Sequence, residues 1–188
     1  MQPDGIDGLD VRRALALFLI FAVVYLFSTG GHAYSVDEIT NYASARFFVE
    51  YGSPELRIDD PFPTSQLLKV GHPEVERVSG RYGLLAWLPL APLYAPASAT
   101  GPPPEPSSST FPETSHVLPL VVLLYNPVVA AALVALVYLL ARQIGLRGRY
   151  ALCAAAIAGV GSPLWVYAKT LSSIPLASAL TVGAVLLL

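Results

Sequence analysis

Residues 118–141 read LPLVVLLYNPVVAAALVALVYLLA, and residues 142–149 read RQIGLRGR. The first stretch carries no charge and, as a helix, is long enough to cross a hydrocarbon core of about 30 Å. The second collects Arg142, Arg147 and Arg149 into a short loop. An apolar run closed by arginines is the pattern of a membrane helix ending at a cytoplasmic face. Asn126 inside the run is costly in lipid, so it is expected to face protein.

Composition points the same way. The chain has 188 residues, 54% hydrophobic and 13% charged, with a mean hydropathy of +0.58. Soluble domains carry roughly 25% charged residues, which argues against an ordinary cytosolic enzyme, and the high apolar content excludes disorder. A single cysteine, Cys153, excludes a disulfide framework and a cysteine-based zinc site, and reads as a small buried hydrophobe. The net charge of −2 and pI near 5.9 give no reason to expect a nucleic-acid partner. His32, His72 and His116 have no partner at helical spacing and read as loop histidines. No phosphate-binding loop, dinucleotide fingerprint or nucleophile elbow is present.

Working outward, the segment 1–13 ends in Arg12-Arg13 and is followed by a first apolar span at 14–31. A secretory leader starts in the same way, but the bulky Phe and Tyr residues favour an uncleaved anchor. A third span covers 150–168 and closes on Pro163, Trp165 and Tyr167, an interfacial aromatic belt. A short loop at 169–173 leads into the start of a fourth span at 174–188. The last five residues, Ala-Val-Leu-Leu-Leu, contain no charge or interface anchor, so the run is expected to continue in a longer protein. Both arginine clusters belong on the cytoplasmic side. The N-terminus is then inside, and residues 32–117 form an outer loop of net charge about −5.

Within that loop Ser35-Val36-Asp37-Glu38 forms a capping box, and Gly52-Ser53-Pro54 supplies a stop. A helix near 36–51 follows, amphipathic through Ile39, Tyr42, Ala43, Phe47 and Val49, and is expected to lie on the bilayer surface. A second apolar stretch near 82–95 contains Pro89 and Pro92 and reads as another surface or re-entrant helix with a kinked end. Residues between the two helices read as irregular loop, and 96–113 as a flexible Pro/Ser-rich segment. The expected fold is all-α and polytopic, with three full spans, a partial fourth and two membrane-surface helices.

Asp37 and Glu38 are the first candidates for chemistry. A carboxylate at the outer end of a span can take a proton from an acceptor hydroxyl, and its neighbour can orient substrate or a divalent cation. Helix capping alone also accounts for both. Arg81, Tyr82 and Lys169 place cations and an aromatic where a lipid phosphate would sit, though snorkelling explains the cations equally well.

Taken in order, these pieces resemble the GT-C superfamily of membrane glycosyltransferases. They are most similar to the dolichyl-phosphate-mannose protein mannosyltransferase group and its prokaryotic relatives that use polyprenyl-phosphate sugars. Four stretches carry the likeness: Asp37-Glu38-Ile39-Thr40-Asn41-Tyr42 with Gly52; Gly80-Arg81-Tyr82-Gly83 with the apolar 84–90; Tyr125-Asn126-Pro127 running to Arg142; and Gly161 to Thr170. The resemblance implies sugar transfer from a lipid-linked donor to an acceptor hydroxyl on the outer face. Asp37 would be the base, Glu38 the orienting carboxylate, and Arg81 and Lys169 phosphate ligands. A cation on Asp37 and Glu38 is compatible with it. The partners implied are the donor, membrane lipid and the C-terminal remainder of the same protein, without which the fragment is expected to be inactive. One departure stands out: many members of that family carry an acidic residue before the corresponding proline, and here Ile174 precedes Pro175. The alternative is a non-catalytic or truncated membrane protein of the same fold.

Overall fold

In the computed structural model of the protein, the residues described are 6–29, 36–52, 56–57, 67–69, 77–80, 84–98 and 120–188. Helix α1 (Gly8–Ser28) begins six residues before the expected span. The reason is local. Asp7 is its N-cap and accepts a 2.7 Å hydrogen bond from the Asp10 amide, while Asp10 sits in the positive first turn. At the far end the Ser28 and Thr29 hydroxyls both donate to the Tyr25 carbonyl, and the helix stops.

Asp10, Ala14, Leu17, Phe21 and Tyr25 form the buried stripe of α1. Leu15, Leu19, Ile20, Val23 and Phe27 are exposed, Phe27 by 89%. A helix apolar all round but covered along one stripe calls for an apolar surrounding. Helix α5 (Leu120–Gln143) is the second long apolar helix. Two helices, Gly8–Ser28 and Leu124–Gln143, are long and apolar enough to cross a membrane. Pro127 lies inside α5, where the missing amide removes one ladder bond.

The third expected span is not one helix. Helix α6 (Gly148–Val160) has 13 residues, about 20 Å at 1.5 Å per residue. It ends at Gly161, and the four-residue α7 (Leu164–Tyr167) follows Pro163. Two carbonyls freed at the break are met by side chains. Ser162 Oγ donates to the Ala158 carbonyl at 2.6 Å, and the Tyr25 hydroxyl to the Gly159 carbonyl at 2.9 Å. Helix α8 (Ile174–Leu186), also of 13 residues, starts where the fourth segment was expected.

The chain divides into two compact units. The first comprises Met1–Gly30, Leu124–Lys169 and Ser173–Leu188. Its core joins α1 to Ala130, Ala131, Leu133, Val134, Tyr138 and Ala141 of α5 and to Ala151 and Ala155 of α6. Gly159 continues that small-residue row, and a Cβ there would collide with the Phe21 ring. Tyr25 packs edge-on against Trp165 at 6.0 Å. Asn126 is buried, as its place in an apolar run requires, and its Nδ2 donates to the Tyr167 carbonyl at 3.4 Å. Cys153, expected inside, is exposed on α6, because the row at 151, 155 and 159 takes the packed face instead.

The second unit comprises Gly31–Leu123 and Thr170–Ser172. Helix α2 (Val36–Tyr51) occupies the span set by its start and stop signals. Gly52 closes it at φ +72°, the left-handed conformation that favours glycine, with its amide on the Phe48 carbonyl. The intervening segment is not wholly irregular. Strands β1 (Leu56–Arg57), β2 (Leu67–Lys69) and β3 (Arg77–Gly80) form an antiparallel sheet in the order β1-β3-β2. Leu56 pairs with Val78, and Leu68 with Ser79. The all-α expectation therefore holds for the main elements and misses this small sheet. The second loop helix is in three pieces: α3 (Leu84–Trp87), a 3-10 turn (Leu88–Leu90) and α4 (Ala91–Ser98). Pro89 and Pro92 interrupt the helical ladder there.

Candidate functional site

Helix α2 buries an unexpected set of side chains. Glu38, Thr40, Asn41 and Ser44 are all under 5% exposed, and Ala43, Ala45 and Phe47 are buried with them. Phe48 and Val49 are exposed. The expected arrangement, an apolar stripe on a membrane surface with polar residues outward, is thus corrected: the first three turns are enclosed on several faces. Burying polar groups costs about 1–3 kcal/mol each unless hydrogen bonds replace water. Asn41 is satisfied in this way: its Nδ2 donates 3.1 Å to the Leu171 carbonyl within the same unit. Small alanines between the polar positions let the backbone approach its neighbours.

The C-terminal half of α2 is fixed by aromatic and ionic contacts. Arg46 Nε reaches both Glu50 oxygens at 3.1 and 3.2 Å, one turn apart on the helix. The Tyr94 hydroxyl of α4 donates to Glu50 Oε1. The Tyr42 and Tyr94 rings meet edge-on at 5.6 Å, and Phe48 leans on Trp87 at 5.3 Å. Burial pushes the Tyr94 hydroxyl pKa up, and the bond to the Glu50 carboxylate pushes it further. Burial also raises that of Tyr42. For Arg46, burial acts downward but is outweighed by the Glu50 bond, so its pKa is raised. These groups hold fixed charge states across the physiological range, which suits a scaffold and not proton transfer.

The candidate residues fall as follows. Asp37 and Glu38 occupy the second and third positions of α2, and Glu38 is buried. Lys169 is half-buried after α7, its amide on the Val166 carbonyl. Arg81, Tyr82, the capping residue Ser35 and the three histidines lie outside the described residues. Among the described residues no group of three or more His, Cys, Asp or Glu side chains is placed to hold a metal.

Sequence reasoning passed over a different polar cluster in the first unit. Asp10 is 1% exposed. Its Oδ1 accepts from the Tyr138 hydroxyl at 2.7 Å and from Arg142 Nε at 2.9 Å, with Arg13 Nη1 at 3.8 Å. Arg142 also donates to the Leu146 carbonyl. The signal was available: a lone Asp one turn ahead of Arg13 in an apolar helix, and a Tyr and Arg at i, i+4 closing another. This carboxylate ties helix ends together through Oδ1, while its buried Oδ2 has no hydrogen-bond partner. Against protein-family models, characterised proteins and solved structures the chain shows no match, so its chemistry is read from these residues alone.

Proposed function

We propose that this chain carries the acidic outer-face helix of a membrane glycosyltransferase that moves a sugar from a polyprenyl-phosphate donor to an acceptor hydroxyl. The observation that carries the proposal is the polar interior of α2. An apolar, membrane-type chain encloses Glu38, Thr40, Asn41 and Ser44 in one helix, directly after a capping signal and with Asp37 beside them. Buried polar sets of this kind mark sites, because packing alone favours apolar replacements.

The topology in this reading has the N-terminus in the cytoplasm and α2 outside, with α6–α7 and α8 as further membrane segments. Two sets of contacts support it. Asp10 bonds Arg142, and Arg13 lies against Gly148, joining segments that the arginine rule assigns to one face. Asn41 bonds Leu171, joining the two segments assigned to the opposite face.

In mechanism Asp37 takes the acceptor's hydroxyl proton as the oxygen attacks the anomeric carbon. The carbon–oxygen bond to the phosphate breaks, and polyprenyl phosphate leaves with the electron pair. Arg81 and Lys169, by resemblance, offset the charge that develops on the leaving phosphate. Tyr82 would flank the donor and Glu38 orient the acceptor or a cation. A non-catalytic membrane protein of the same fold is the competing reading, and Ile174 in place of an expected carboxylate favours it. Sugar transfer from a synthetic polyprenyl-phosphate donor, measured with the full-length protein in proteoliposomes, separates the two. Transfer supports the enzyme; its absence from a correctly inserted protein supports the non-catalytic reading.

A further inference from the structure

We infer that Asn41 is a positioning residue that fastens the 170–172 turn to the acidic end of α2. The inference rests on the glycosyltransferase reading and extends it to a residue that neither capping nor the acidic pair explains. Asparagine is a poor helix former, and an unbonded amide in a protein interior is costly. Asn41 is nevertheless 4% exposed in the middle of a helix. Its amide nitrogen donates to the Leu171 carbonyl, 130 residues away in sequence.

The turn itself belongs with α2. Thr170–Ser172 group with Gly31–Leu123, whereas the residues on either side, up to Lys169 and from Ser173, group with the other unit. Leu171 is 5% exposed, so its side chain as well as its carbonyl is buried. A turn carbonyl removed from water needs a donor, and Asn41 supplies one. Asn41 follows Glu38 by three residues, which puts both on the same helix face. The turn, with its Thr170 and Ser172 hydroxyls, is thereby fixed along the face that begins at Glu38. An acceptor placed by Glu38 meets a wall whose position Asn41 sets. In this role Asn41 touches neither substrate nor reacting atoms. It acts by keeping the wall in place, since small displacements at a reacting centre are expensive.

The test uses full-length protein in proteoliposomes with a synthetic polyprenyl-phosphate sugar, and three variants. Asn41→Asp keeps the shape and loses the donor; Asn41→Gln keeps a donor on a longer arm; Asn41→Ser is a smaller replacement in case Asn41→Asp misfolds. Losing the bond should raise the acceptor KM about tenfold in Asn41→Asp and in Asn41→Ser. The donor KM should stay within about twofold, and Asn41→Gln should recover to within about threefold of wild type. Amide hydrogen exchange across 169–173 should quicken about tenfold in Asn41→Asp, with 14–25 unchanged. In the wild type the turn should exchange as slowly as the centre of α2. A wild-type turn exchanging like a free loop overturns the tether, whatever the variants do. Wild-type transfer with unaltered acceptor KM in Asn41→Asp and Asn41→Ser overturns the positioning role. A wild-type protein without transfer overturns the glycosyltransferase reading, and the positioning role falls with it, even where slow exchange shows the turn to be tethered.

Discussion

Asp10 and Glu38 are both carboxylates near the start of a helix, both almost wholly buried, and they belong to different units. Asp10 is surrounded by Tyr138, Arg142 and Arg13, contributed by α1 and α5. Glu38 shares its helix with Thr40, Asn41 and Ser44, which are neutral hydrogen-bonding groups. Burial by itself therefore does not assign a role to a carboxylate. Asp10 is held by a tyrosine and an arginine that tie two helices together, whereas Glu38 lies on a helix whose other buried polar groups are neutral.

That contrast can be broken most forcefully in the first unit. Arg142→Leu leaves Asp10 buried beside a lost cation and should cost about 3–5 kcal/mol. Thermal unfolding in detergent should drop by many degrees, and Asp10→Asn introduced alongside should recover part of the loss. Next comes Gly159→Val, which forces a side chain into the Phe21 ring and should cost about 1–3 kcal/mol by the same assay. In the second unit, Tyr94→Phe removes the donor to Glu50 and should cost about 1 kcal/mol, with transfer retained. The smallest effect is a pH dependence. Tyr42 and Tyr94 both have raised pKa values, so their stabilisation is complete below the ordinary tyrosine value of about 10 and fades as pH rises past it toward the raised values. Absorbance at the tyrosinate band should show one fewer late-titrating tyrosine in Tyr94→Phe than in the wild type.

Features were legible where residue types dictate local geometry or solvation. The 36–51 helix was readable because a Ser-x-x-Glu start and a Gly-Ser-Pro stop each act within one turn. The Asn126 burial followed from solvation alone. The early start of α1 was missed because the apolar run alone set the expected boundary, while Asp7 as cap and Asp10 in the first turn went unread. The break at Gly161–Pro163 was read as the belt at a span's end, since hydropathy averages over such interruptions. Strands of two to four residues leave no period to detect, so the sheet was invisible. The enclosed polar face of α2 was missed for a tertiary reason: the Leu171 carbonyl that accepts from Asn41 lies 130 residues away.

The most direct measurement of the central claim is transfer by Asp37→Asn in the full-length protein. The account predicts that sugar transfer from a polyprenyl-phosphate donor falls by about 10²–10⁴-fold while insertion and thermal unfolding stay at the wild-type level. Transfer within about twofold of wild type, where losing a general base should cost at least a hundredfold, would contradict it.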